Sequence, residues 1–345
     1  MPKNNNSSRA IEKYQKTVKQ LRLITSISLV LGIIAIFISI YSIYVVTPGF
    51  YSLLSSHVTT AANNTTAQTS KFPTFAGIDD PLNSTQLSVI NNAPNSYFET
   101  AGLMYLNGSI SNPIFTKTNA VTSFTYNNKT SVVYLGSITC IFCGENRWAM
   151  ALALSRFGNF SKLFIGYSSL NDGDVPTLYW TSLDYNTSTT TIGNYYSSRY
   201  INFFSIDDVK PITGGFNLNT MPQMLSNIKA RGNQTYVNAF DYIINLSSRN
   251  ATAFTGTPYT IWGNYQFEGA DAADFGNSTP TSGTVALSYM THAQVFSQLA
   301  HPSDQFAWTE YAAADVYTAA ICKSIGNSAS VCSLPSIQEI ETAFK

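Results

Sequence analysis

The sequence predicts an α/β fold, a mixed sheet flanked by helices with a helical insertion and further helices at the C-terminal end, behind one N-terminal transmembrane helix. Three observations carry this. Residues 23–46 are apolar and uncharged. At Val132 to Leu135 a β-branched run of strand length gives way to apolar residues spaced three and four apart, first Trp148 and Leu152, then Met150, Leu154 and Phe157. Residues 255–270 then read as a hairpin with a Gly263-Asn264 turn, and helical periodicity fills 285–345.

Within the first 22 residues Lys3, Arg9, Lys13, Lys16, Lys19 and Arg22 face only Glu12, so this tail carries +5 and the other 323 residues −5. The segment 23–46 is long enough to cross a hydrocarbon core of about 30 Å. A cleaved signal peptide is the rival reading, but its apolar region would be shorter and end at small residues, whereas this one ends at Tyr41, Tyr44 and Pro48. No Lys or Arg follows until Lys71, so the positive-inside rule puts residues 1–22 in the cytoplasm and the body outside the cell membrane. The lipid bilayer is thus one expected partner, held through residues 23–46.

Residues 47–71 are small and polar without periodicity, a flexible stalk. From 72 to 345 the chain reads as one extracytoplasmic domain. Only 11% of residues are charged, which leaves uncharged polar groups to solvate the surface and provides no basic cluster for nucleic acid. Asn-x-Ser/Thr sequons at Asn63, Asn64, Asn83, Asn107, Asn128, Asn159, Asn186, Asn233, Asn245, Asn250 and Asn277 suit a glycoprotein, although a chain rich in Asn, Ser and Thr produces some by chance.

Inside the domain, residues 96–105 form a short helix in this reading. The strand 131–135 leads through Cys140-Ile141-Phe142-Cys143 into a helix that runs to about Phe157, and 162–168 is a second strand. Strand, helix, strand makes a βαβ unit with parallel strands. Residues 171–191 read as loop, 200–206 (YINFFSI) as a strand and 220–246 as helical, together an insertion over about 171–254. The C-terminal helical part covers about 285–345.

The chemistry sits at Cys140 and Cys143. A Cys-x-x-Cys where a strand turns into a helix exposes its first sulfur to unpaired amides and the positive end of the helix dipole, which favours a thiolate. Cys140 then attacks and Cys143 resolves. The competing reading is a permanent, silent disulfide in an oxidising exterior. For Cys322 and Cys332 the preference reverses: a structural disulfide closing a short loop, with a second relay dithiol as the alternative. A four-cysteine metal site would need both pairs to converge, and their spacing does not match zinc ribbons. Arg147, one turn past Cys143, is a candidate thiolate-stabilising charge, with an exposed helix arginine as the plainer reading. Glu145 and Glu268 are candidate proton acceptors or ordinary surface carboxylates. Trp148 and Trp262 read as core. His57, His292 and His301 are too scattered for a metal site or a triad.

The ordered pair of signals, Cys140-x-x-Cys143 at a helix start and Gly256-Thr257-Pro258 opening a hairpin that closes at Gly269-Ala270, resembles the thioredoxin-like fold. The arrangement is closer to extracytoplasmic members with a helical insertion, such as the DsbA-type oxidoreductases, than to compact thioredoxin. The resemblance implies a cis Pro258 packed against the Cys-x-x-Cys, with Thr257 pairing through its backbone with a bound cysteine-containing strand. It also implies a dithiol that needs no cofactor. The sequence departs from such oxidoreductases at Thr139, where a Trp is common, and in its apolar Ile141-Phe142 pair, which offers no basic residue to depress a thiol pKa. The run VVYLGSITCIFCGENRWAMALALSRFGNF, with SYFETAGLMYLNG before it and the Cys322 to Cys332 tail, is also similar to an archaeal membrane-anchored family, domain of unknown function 929. The expectation is a membrane-anchored thiol–disulfide oxidoreductase, with cysteine-containing exported proteins and a redox recycling protein as partners. The alternative is a non-catalytic cell-envelope or surface-layer binding module on the same scaffold.

Overall fold

The computed structural model describes residues 78–110, 117–137, 140–167, 175–181, 183–184, 189–190, 193–207, 225–226, 229–230, 233–249, 259–268, 287, 290–303 and 305–344. The chain divides near residue 68, and every described residue falls in the part Thr69–Lys345. The expected tail, membrane helix and stalk lie outside the described residues, as do His57, Thr257 and Pro258. Among the described residues no helix is long and apolar enough to cross a membrane.

In chain order the elements are β1 (Ile78–Pro81), α1 (Ser84–Asn91), α2 (Asn95–Leu106), β2 (Lys117–Ala120), β3 (Thr125–Tyr126), β4 (Lys129–Leu135), α3 (Ile141–Ser155), β5 (Gly158–Phe160), β6 (Phe164–Tyr167) and β7 (Pro176–Tyr179). There follow β8 (Leu183–Asp184), β9 (Thr189–Thr190), β10 (Tyr196–Ser198), β11 (Ile201–Ile206), α4 (Gln234–Arg249), β12 (Tyr259–Trp262) and β13 (Tyr265–Glu268). The chain ends in α5 (His292–Ala300), α6 (Gln305–Ser324), a 3-10 turn (Ser330–Ser333) and α7 (Pro335–Glu341).

The central sheet has the order β11-β4-β12-β13-β2, with β3 paired to β4. β11 runs parallel to β4, with Ile206 opposite Leu135, while β12 lies antiparallel on the other side, with Tyr259 opposite the same Leu135. The strand β4 is buried on both faces, which is why it reads as an unbroken apolar run without polar alternation. Its side chains alternate between two cores. Val133 and Leu135 meet Phe204, Ile206, Ile261 and the α4 residues Val237, Phe240 and Ile243. Val132 and Tyr134 belong to the larger core on the opposite face, with α3 and α6, including Trp148, Trp262 and Tyr317. The layers are therefore helix, sheet, helices. The hairpin β12–β13 turns at Gly263, whose φ of +62° only glycine adopts at no cost, and where a Cβ would also collide with Ser324.

Two expectations change. The parallel partner of β4 is β11, whereas the strand near 162–168, observed as Phe164–Tyr167, pairs antiparallel with β1 and β7 in a separate three-stranded sheet. The physical reason is burial: five of the six β11 residues (Ile201, Phe203, Phe204, Ser205 and Ile206) are buried, so β11 suits the centre, while β6 alternates buried and half-buried. Hence β11 and α4 belong to the central layers and not to an insertion. The stretch expected as loop, 171–191, contains β7, all four of whose residues are buried under α3.

Candidate dithiol site at the start of helix α3

The site forms where the central strands end. Gly136 extends the pairing of β4 by donating its N–H to the Ile206 carbonyl at 2.9 Å, and the chain then turns through Ser137 into α3. Cys140 is the N-cap of that helix: its backbone is extended, with φ −87° and ψ 122°, and its sulfur accepts the Cys143 N–H at 3.4 Å. A cysteine sulfur thus stands where a serine or aspartate oxygen usually caps a helix. Cys140 and Cys143 are not disulfide-bonded here, and they differ in access, Cys140 being half-buried and Cys143 fully buried.

Burial pushes the Cys143 thiol well above its ordinary pKa, and its hydrogen bond to Cys140 and the charge Cys140 can carry push the same way. Two contacts oppose this: the positive charge of Arg147 and the Ser137 N–H, which donates to Cys143 Sγ at 3.3 Å. The arrangement distinguishes the two sulfurs, an accessible one that caps a helix and a buried one kept protonated.

Arg147 is not an exposed helix arginine. It is fully buried, with Nη2 donating to Asp207 Oδ1 at 2.6 Å and to the Ser137 carbonyl at 3.0 Å. Its guanidinium carbon lies 4.5 Å from the centre of the Tyr179 ring and 5.7 Å from that of Tyr134. Burial alone would favour loss of its proton; Asp207, then Tyr134, Tyr179 and Cys143, hold it charged. The Tyr134 hydroxyl donates to Asp207 Oδ1 at 3.2 Å, and burial holds both Tyr134 and Tyr179 protonated. Gly136 makes room for this: a Cβ there would overlap the Tyr134 ring and hydroxyl.

The sequence reading had not identified Asp207, Tyr134, Tyr179 or Ser137. Asp207 was within reach, because it directly follows a strand of mostly buried residues; pairing that strand with β4 would have set it level with Gly136. Glu145 is fully buried and so is not a surface carboxylate. The first turn of α3 is fixed from the other side by β7, where the Thr177 hydroxyl donates to the Gly144 carbonyl and Trp148 Nε1 donates to the Pro176 carbonyl at 3.1 Å. His292 donates from Nε2 to the Gly166 carbonyl at 2.7 Å, and burial lowers its pKa.

Cys322 and Cys332 form a disulfide between the end of α6 and the 3-10 turn, with Cα atoms 5.4 Å apart. Among the described residues no group of His, Cys, Asp and Glu is placed to hold a metal ion.

A family model described as a domain of unknown function, DUF929, matches residues 115–323. The chain belongs to this family. Comparison with curated proteins and with solved structures gives no match. The DUF929 match takes in both site cysteines, Arg147 and Asp207, and the central sheet, so the whole candidate site lies within the family's own span.

Proposed function

We propose that this DUF929 member is a membrane-anchored, extracytoplasmic thiol–disulfide oxidoreductase of thioredoxin-like fold. The observation that carries the reading is the pair of unlike sulfurs: Cys140 accessible and capping α3, Cys143 buried one helical turn behind it. A half-buried sulfur bonded by a helix N-terminal amide is suited to nucleophilic attack, and a buried neighbour three residues on is suited to resolution. The strand order supports the fold. A parallel β-α-β pair, β4–α3–β11, adjoins an antiparallel hairpin, β12–β13, which enters the sheet beside the end of β4 that leads to Cys140. Pro258 immediately precedes that hairpin in the sequence, as the resemblance requires.

An exported location is supported by the uncharged segment 23–46 with its basic flank and by the Cys322–Cys332 disulfide, a bond that persists in oxidising compartments. The substrates in this reading are exported proteins with cysteines, and the dithiol is itself the redox group. A trapping experiment tests it. The Cys143→Ser chain, incubated with a disulfide-containing peptide, should accumulate a covalent adduct on Cys140 that the Cys140→Ser chain does not form. Absence of any adduct under denaturant-free conditions would favour a binding module in which the pair is inert.

A further inference from the structure

The Arg147–Asp207 pair does not itself cap α3, yet Arg147 is fully buried and Asp207 nearly so. An ion pair in that position is costly to desolvate, and an apolar pair would serve packing as well. Its contacts lead to one place. The same Arg147 Nη2 that bonds Asp207 also bonds the Ser137 carbonyl, and the Ser137 N–H is the donor to Cys143 Sγ. Ser137 is thereby held between a fixed cation and the buried sulfur. The aromatic rings of Tyr134 and Tyr179 also lie against the guanidinium, so its charge is surrounded by buried protein groups.

We infer that Arg147, with Asp207 as its counter-ion, is the positioning residue for the resolving thiolate of Cys143. The inference rests on the oxidoreductase reading and assigns a step within it. After Cys140 has attacked a substrate disulfide, Cys140 is bonded to one substrate sulfur and the other has left as a thiolate. Cys143 Sγ–H then gives up its proton, which the released thiolate takes up, and the Cys143 thiolate attacks Cys140 Sγ. The Cys140–Cys143 bond forms as the bond from Cys140 to the substrate sulfur breaks, and that sulfur leaves with the electron pair. The dithiol is oxidised and the substrate disulfide reduced, two electrons each. The unfavourable moment is the appearance of negative charge on a sulfur with no access to water. At that moment the Ser137 N–H bond and the nearby guanidinium are the groups that oppose the cost. The titratable and charged groups around this sulfur are Cys140 and Arg147 on its own helix, Tyr134 from β4, Tyr179 from β7, and Asp207 behind Arg147.

The full-length chain, reduced and mixed with excess dithionitrobenzoate, a chromogenic aromatic disulfide, separates the steps. Attack by Cys140 releases one coloured thiolate, and resolution by Cys143 releases a second. Arg147→Met should slow the second release by about tenfold or more and move its pH midpoint upward while the first release remains rapid, and Arg147→Lys should recover part of the rate. Asp207→Asn keeps the cation but removes its counter-ion, so the second midpoint should fall. A second release unchanged in rate and midpoint in a folded Arg147→Met chain would overturn the inference while leaving the oxidoreductase reading intact. If that chain does not fold, Asp207→Asn decides alone, an unmoved midpoint being the contrary result. Failure of the wild-type chain to show any first release would instead remove the underlying reading.

Discussion

Asp315 sits on α6 with Arg156, the residue that caps the end of α3, as its ionic partner, and Arg156 in turn lies 4.0 Å over the Phe98 ring. Both charged groups are buried, and a Cβ on Gly102 would meet Asp315 Oδ2 directly, so the absence of a side chain there is what admits the carboxylate. Burial raises the Asp315 pKa from 3.8 to about 7, although Arg156 pulls it down. A carboxyl whose folded-state pKa is raised contributes stability that is complete below about 4 and is lost as pH climbs toward 7, up to ~4 kcal/mol for a shift of this size. His292 acts in the opposite sense: its lowered pKa contributes stability above the ordinary histidine value, lost as pH falls through it. Urea denaturation from pH 4 to 8 should therefore show a fall in wild-type stability relative to Asp315→Asn as pH rises. Parallel pH profiles for the two chains would mean that Asp315 stays ionised throughout.

The helix α6 joins several layers: it packs against α2, α3, α5, α7 and β12, and its last turn is tied by Cys322–Cys332 to the 3-10 turn that leads into α7. Lys323 adds to this by donating to the carbonyls of Glu341 and Phe344. Closing a loop of ten residues by a covalent bond restricts the unfolded chain by about 3 kcal/mol. The Cys322→Ala, Cys332→Ala chain should lose roughly that amount of unfolding free energy by urea titration while Cys140 reacts with thiol reagents at its wild-type rate. A large change in Cys140 reactivity would contradict the separation drawn between the two cysteine pairs.

These elements also show what the sequence made legible. The helix at 96–105, the hairpin at 259–268 and the strand at 201–206 were readable because each had a local signal: helical spacing, a Gly-Asn turn, a β-branched and aromatic run. The pairing of β4 with β11 was not, since that choice depends on burial across 65 intervening residues and no local pattern encodes it. The same gap explains Arg147. An arginine one turn along a helix reads as solvated unless its partner is known, and Asp207 is the residue that follows β11. The two cysteines were visible from spacing alone, whereas the charged and aromatic groups around them come from β4, β7 and β11, brought together only by the sheet.

At the scale of the molecule, the domain has one place where a sulfur is accessible, another sulfur is buried three residues away, and a buried ion pair is joined to the second sulfur through Ser137. Helices cover both sides of the central sheet around that place, with Trp262 and Tyr317 stacked 4.1 Å apart in the core shared with α3, and α4 on the opposite face. Thiol exchange and structural rigidity make opposite demands on such a dithiol, because a bond that only stiffens a scaffold gains from resisting reduction. The reduction potential of Cys140–Cys143 separates the two. It can be measured in the full-length chain by equilibration with glutathione buffers and acid trapping of the thiols. The account predicts a value within about −120 to −270 mV. A value well below about −300 mV, or a bond that no glutathione buffer reduces, would contradict it.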